Sequence, residues 1–174
     1  MTEVPVIDLT PARHGGTAER ARVATAIDAA CREIGFFAIT GHGVPDRQIH
    51  DLRRAAHEFF ALPPANKLAL RHPAGMNRGY HPVGGEALSK ANDTAAPPDL
   101  KEFFHVGPVE TSDDPYYTAP LGRRHFEPNI WPAAPAGFAP ATAAYYRAMS
   151  DLIVFLMRLA AVALEVDEMF FDDK

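Results

Sequence analysis

Gly35-Phe36-Phe37-Ala38-Ile39-Thr40-Gly41-His42-Gly43-Val44-Pro45 is the stretch on which the fold turns. Phe36 to Thr40 is a short run with apolar side chains on both faces, which predicts a buried strand. Gly35 stops the helix in front of it, as a glycine at a helix C-terminus does. Gly41-His42-Gly43 turns the chain. Val44-Pro45-Asp46 opens the next helix, because proline suits a first turn and an acid suits the positive end of the helix dipole.

Working upstream, Thr17 is positioned to cap a helix whose apolar stripe is Val23, Ala26, Ile27, Ala30, Cys31 and Ile34. Residues 11–16 read as a loop. Val4 to Leu9 reads as an edge strand, since Pro5 has no amide to donate to a ladder. Working downstream, the second helix carries Ile49, Leu52, Ala56, Phe59 and Phe60 on one stripe and ends at Pro63-Pro64. Asn66-Lys67-Leu68 makes one further helical turn. Gly79 to Val83 is extended, and Lys101 to Val106 is a strand candidate. Residues 107–136 read as irregular. From about Pro140 the chain is helical through Tyr145, Met149, Leu152, Phe155, Leu156, Leu159 and Ala163. That helix is apolar nearly all round, which predicts burial on several sides. The class is α+β, with too few strands to close a sheet.

Composition narrows the function. The 174 residues carry 17 basic and 22 acidic side chains, a net charge of −5, which excludes a general phosphate-backbone binder and so predicts no nucleic-acid partner. A single cysteine, Cys31, excludes an internal disulfide and fits a reducing, cytoplasmic setting. On its apolar stripe it reads as a small core residue. Met1 to Thr10 has no signal-peptide pattern. The longest apolar run, Leu152 to Leu164, is interrupted by Arg158 and falls short of the roughly 20 residues a membrane span needs, so no membrane partner is expected. Of 16 prolines, 13 lie between Pro63 and Pro140, which makes the middle of the chain loop-rich. Tyr80, Phe103, Phe104, Tyr116, Tyr117, Phe126, Trp131 and Phe138 run through that region and imply packing, not a free linker.

The motif search yields little chemistry by spacing alone. A mononuclear iron site needs two histidines and a carboxylate on one face. The sole His-x-acid triplet, His125-Phe126-Glu127, sits among prolines with no histidine after it. The other histidines show no zinc-type spacing. Gly-x-Ser-x-Gly is absent, and Gly41-His42-Gly43 lacks the downstream glycine and lysine of a phosphate loop. Asn77 to Glu86 is more informative, with Arg78, Tyr80 and Glu86 on a glycine-rich loop. A guanidinium, a phenol and a carboxylate together suit the orientation of a polar small molecule. The same residues also read as an ordered surface loop with a local ion pair, and residue chemistry leaves both open.

Six blocks then occur in order: Val4-Pro-Val-Ile-Asp-Leu9, Gly35 to Pro45, His57-Glu-Phe-Phe-Ala-Leu-Pro63, Arg78-Gly-Tyr80, Lys101-Glu-Phe-Phe104 and Asn129-Ile-Trp-Pro132. Together they resemble the N-terminal half of the isopenicillin N synthase-like family of non-haem iron(II) oxygenases and oxidases, most of which use 2-oxoglutarate. The resemblance runs from about Val4 to Lys174. It implies the N-terminal helical and strand portion of a distorted jelly roll (double-stranded β-helix), with the long helix backing the larger sheet and the barrel incomplete in this chain. It divides the chain into a strand and helix region over about 4–106, a proline-rich irregular segment over 107–139 and a long buried helix over 140–166.

The resemblance also implies Fe(II) and 2-oxoglutarate in the intact enzyme, a small-molecule substrate, and Arg78, Tyr80, Glu86 and Phe104 on the substrate side. The family's iron ligands, His-x-Asp with a distal histidine, and its Arg-x-Ser pair for 2-oxoglutarate have no counterparts here. Arg-x-Ser is absent, and His125-Phe126-Glu127 precedes the long helix instead of following it. The expectation is therefore a truncated product or one partner of a split enzyme, with no metal, cofactor or catalytic residue of its own and no oxygenase chemistry alone. Two further readings stand beside it. One is an interaction module that self-associates, or meets a complementing C-terminal half, through an open sheet edge. The other is a small metalloprotein built on His81, His105 and His125.

Overall fold

The computed structural model describes residues 3–71, 78–85, 97, 99–110 and 112–172. They form two compact units, one of residues 1–45 with 147–174 and one of residues 46–146.

In the first unit, β1 (Val6–Asp8) pairs in parallel with β2 (Ala38–Thr40), with Ile7 opposite Ile39. Bonds from Leu9 N to Thr40 O and from Ala38 N to Pro5 O extend the pair, both at 2.9 Å. Pro5 thus contributes only its carbonyl, as its missing amide requires. Between the strands run α1 (Thr10–His14) and α2 (Thr17–Glu33). Ile7, Leu9, Ala12, Val23, Ala24, Ile27 and Ala30 are buried, as are Leu152, Leu159 and Ala161 of the long C-terminal helix. Arg13 lies over the Phe155 ring, 4.3 Å from its centroid, and donates to the His42 carbonyl at 2.6 Å. Arg20 pairs with Glu168. Gly41 has φ +61°, and a side chain there would meet Asp8 and Thr10, so this turn requires glycine.

Several expectations are corrected here. Residues 11–16 are not simply a loop. Asp8 Oδ1 accepts the Thr10 amide at 2.9 Å and Pro11 sits in the first turn, which starts α1. Thr17 is not the cap of α2. Gly16 holds that position, and the Glu19 carboxylate reaches back to its amide at 2.9 Å. Ala24 is buried where Ala26 was expected, and Cys31 is exposed. The strand β2 is not buried: Phe36 ahead of it is 61% exposed, as is Val6 on β1 at 65%.

In the second unit, α3 (Asp46–Phe60) and α4 (Pro64–Leu68) are followed by an antiparallel ribbon of β3 (Gly79–His81) and β4 (Phe103–His105). Two short helices come next, α5 (Pro115–Thr118) and α6 (Pro120–His125). They replace the irregular structure expected over 107–136. Proline opens each in its first turn, and Asp114 caps α5 by accepting the Tyr116 amide at 2.7 Å. The core is Ala55, Phe59, Tyr80 and Phe138, with Phe60, Leu62, Leu70, Phe104, Trp131 and Ala141 packed against it.

The long helix α7 (Phe138–Ala163) gives its first turns to this unit and the rest to the other. It is not covered on all sides, because Ile153, Val154 and Met157 are exposed. Among the described residues no helix is long and apolar enough to cross a membrane.

Candidate functional site

The ribbon of β3 and β4 sorts its side chains by strand alternation. Tyr80 stands opposite Phe104 and both enter the core. His81 stands opposite Phe103, with the two rings stacked at 4.4 Å and 5°. His105 lies diagonally across, its ring 6.4 Å from that of His81.

Tyr80 is 5% exposed, so its phenol needs a partner, and it donates to Glu102 Oε2 at 2.5 Å. The same carboxylate receives Lys67 Nζ at 2.8 and 3.1 Å. Lys67, in the single turn of α4, is only 6% exposed and gives its third donor to the Phe60 carbonyl at 2.9 Å. The phenol, carboxylate and ammonium thus tie α3, α4 and both strands together.

Burial first, and the Glu102 carboxylate second, push the Tyr80 phenol up to about 12. Lys67 and then Tyr80 hold the Glu102 carboxyl below the ordinary carboxylate range. Both shifts have stability consequences of definite sign. The contribution of neutral Tyr80 is complete below the ordinary tyrosine range and is lost as pH rises towards about 12. That of ionised Glu102 is complete above the ordinary carboxylate range and is lost as pH falls through its lowered folded value.

Arg78, just ahead of β3, is also buried. Its Nη2 donates to the His125 carbonyl at 2.9 Å, while its Nε has no hydrogen-bond partner among the described residues. The guanidinium lies against Gly107, where any side chain would collide with it. Asn129 clasps the same loop from another direction. It accepts the Gly107 amide at 2.8 Å and donates to the Gly107 and Pro108 carbonyls at 3.2 and 2.9 Å. Beyond that loop is a cavity of about 560 Å³ lined by residues of the 108–131 segment.

Of the residues read from sequence, Tyr80 and Phe104 come together in the core, and Arg78 stands at the head of the same ribbon. Glu86 lies outside the described residues. Lys67 was not anticipated, because a lysine in a short polar turn is normally exposed. The signal for it is Lys101-Glu102-Phe103-Phe104, where an acid directly precedes an apolar strand and calls for a cation. His125-Phe126-Glu127 is used structurally: the His125 carbonyl holds Arg78, and Glu127 is buried. Among the described residues no three His, Cys, Asp or Glu side chains converge as a metal site, so these residues do not fit a two-histidine, one-carboxylate iron centre.

Comparison with known proteins places this scaffold. Residues 4–134 match the family described as non-haem dioxygenase in morphine synthesis N-terminal. The 2-oxoglutarate-Fe(II) type oxidoreductase hxnY of Emericella nidulans is 33% identical over 98% of this chain and 48% of its own length. Isopenicillin N synthase of Streptomyces clavuligerus is 34% identical over 97% of this chain and 50% of its own. The crystal structure of a full-length Neurospora crassa protein in complex with alpha-KG superposes with a TM-score of 0.73 at 26% identity, covering 97% of this chain and 49% of that one. The chain spans about half the length of the curated relatives it matches. With Tyr80 and Phe104 of the ribbon set in the core behind Arg78, and a family match over residues 4–134, this chain belongs to the family of non-haem dioxygenase N-terminal regions.

Proposed function

We propose that this chain is the N-terminal scaffold of a non-haem iron(II), 2-oxoglutarate-dependent oxygenase acting on a small-molecule metabolite. In this reading the iron and 2-oxoglutarate ligands come from sequence outside the chain. The carrying observation is that the relatives match nearly all of this chain over only about half of themselves. The exposed Val6, Phe36, Ile153, Val154 and Met157 support it, since a two-stranded sheet and a half-bare apolar helix are what an incomplete jelly roll leaves uncovered.

Bound iron with 2-oxoglutarate supplies the oxygen activation, and the protein supplies positioning. Arg78, Tyr80, Phe104 and Glu86 serve the substrate side. Tyr80 and Phe104 act from within the core by fixing the ribbon, and Arg78 acts by holding the loops at Gly107 and His125. The chain alone has no oxygenase activity.

The test is the longest reading frame containing these residues. Its product is expected to carry His-x-Asp, a distal histidine and Arg-x-Ser, and to convert 2-oxoglutarate to succinate only when Fe(II) is present. A frame that ends at Lys174 without a complementing chain, or a longer product with no iron-dependent turnover, overturns the reading.

A further inference from the structure

We infer that the cavity of the 108–131 segment is a binding site for a small carboxylate carried on an aromatic body. The inference does not rest on the iron-dependent reading, because every residue it uses lies in one unit of this chain.

Its volume of about 560 Å³ falls in the range of small-molecule sites. The lining residues include three aromatics, Tyr117, Phe126 and Trp131, together with Arg123. The charges on the lining are not equivalent. Glu110 and Glu127 each already have an interaction partner within the protein. Arg123 is exposed on α6; its amide donates to the Ala119 carbonyl at 2.8 Å, and its side chain makes no hydrogen bond or ion pair with any described residue. The cavity therefore offers an anion one uncommitted, fork-shaped donor, and Arg is the side chain best matched to a planar carboxylate.

The frame is held in advance of any ligand. Asn129 clamps the backbone of Gly107 and Pro108 on one side. Asp114 caps the turn carrying Tyr117, and Tyr117 packs edge-on against Phe126 at 4.7 Å. A site fixed before binding loses little to ordering when it is filled. The Asn129-Ile-Trp-Pro132 block thereby gains a use: Asn129 fixes one wall, and Trp131 forms another while its remaining contacts go to the core.

Trp131 is the only tryptophan in the chain, so tryptophan emission comes from a single residue that lines this cavity. The experiment titrates the full chain with phenylacetate, phenylacetamide and 2-phenylethylammonium, exciting tryptophan selectively. Phenylacetate is expected to give a saturable change with half-saturation on the order of 1 mM, as befits a fragment of about ten heavy atoms. The neutral amide is expected to bind about tenfold more weakly, as is phenylacetate to Arg123→Gln, whose exposed position leaves folding intact. Circular dichroism and the unfolding midpoint of that variant confirm that the fold is kept. No saturable change with phenylacetate, preference for the ammonium, or equal binding to Arg123→Gln would each overturn the assignment.

Discussion

Phe59→Ala is expected to lower the stability of the 46–146 unit by about 3–5 kcal/mol, the range for truncating a fully buried aromatic side chain. Phe59 has no exposed surface and sits at the centre of an aromatic cluster. Its ring lies 4.9 Å from Phe138, 5.0 Å from Phe104, 5.2 Å from Phe60 and 6.2 Å from Tyr80. Helix α3, both strands of the ribbon and the start of α7 therefore all lose a partner at once. The cavity cannot close, because its walls are rings anchored on four separate segments. Domains have only about 5–15 kcal/mol in total, so a large part of the reserve goes. Urea denaturation followed by circular dichroism should show the midpoint falling by about 1–3 M. Leu100→Ser, at a position 91% exposed, is the control and should leave the midpoint unchanged. A Phe59→Ala protein that unfolds at the wild-type midpoint would show that this cluster does not hold the unit together.

Glu102→Ala is the second large effect, with an expected loss of about 1–3 kcal/mol. The cost comes less from the lost attraction than from what is left behind. Lys67 is buried and would keep only the Phe60 carbonyl for its three donors, and Tyr80 would have no acceptor. Glu102 is itself 29% exposed, so water can partly replace it, which keeps the figure below that of a fully enclosed pair. Removing charge and counter-charge together should cost less. Lys67→Met combined with Glu102→Leu is expected to recover most of the stability lost by Glu102→Ala alone.

A spectroscopic readout accompanies the loss. The carboxylate is one of the causes that hold the Tyr80 phenol up near 12, so Glu102→Ala should let Tyr80 ionise at lower pH, while burial keeps it above an ordinary tyrosine. Absorbance titration of the variant against Tyr80→Phe isolates that one phenol. An unchanged Tyr80 titration together with unchanged stability would mean the three groups are not coupled.

The parts that sequence made legible are those where pattern leaves one solution. Gly79 to Val83 reads as extended and Lys101 to Val106 as a strand, and both hold strands, over Gly79–His81 and Phe103–His105; that they pair, with Tyr80 opposite Phe104, is not legible in either segment alone. Gly41 was read as a turn, and its left-handed backbone against Asp8 and Thr10 explains why no other residue serves. The phase of α2 is not fixed by its pattern. Ala24 and Ala26 flank the Val23–Ile27–Ala30 stripe on opposite sides with equal apolarity, so hydrophobic spacing alone does not decide which is buried or where Cys31 faces.

The prolines misled in one consistent way. Pro11, Pro64, Pro115 and Pro120 all sit in the first turn of a short helix, where a missing amide costs nothing. Proline density therefore marked helix starts in places where it suggested irregular chain. The strand at Phe36 to Thr40 was expected to be buried from its two apolar faces. Its exposure here reflects a property of sheets, since a strand is covered only when both faces have neighbours. Residue type draws attention to Arg78 and Tyr80 as polar groups and the structure shows that both are buried, while Lys67 escapes because its burial depends on a carboxylate 35 residues away.

Iron binding by the purified chain tests the central claim most directly. Equilibrium dialysis under anaerobic conditions, with 2-oxoglutarate present, measures how much Fe(II) these residues retain. Metal in no more than trace amounts at micromolar free iron is the expected result for a scaffold whose described side chains form no three-ligand cluster. Stoichiometric Fe(II), retained by the chain alone and lost when its histidines are substituted, would contradict it.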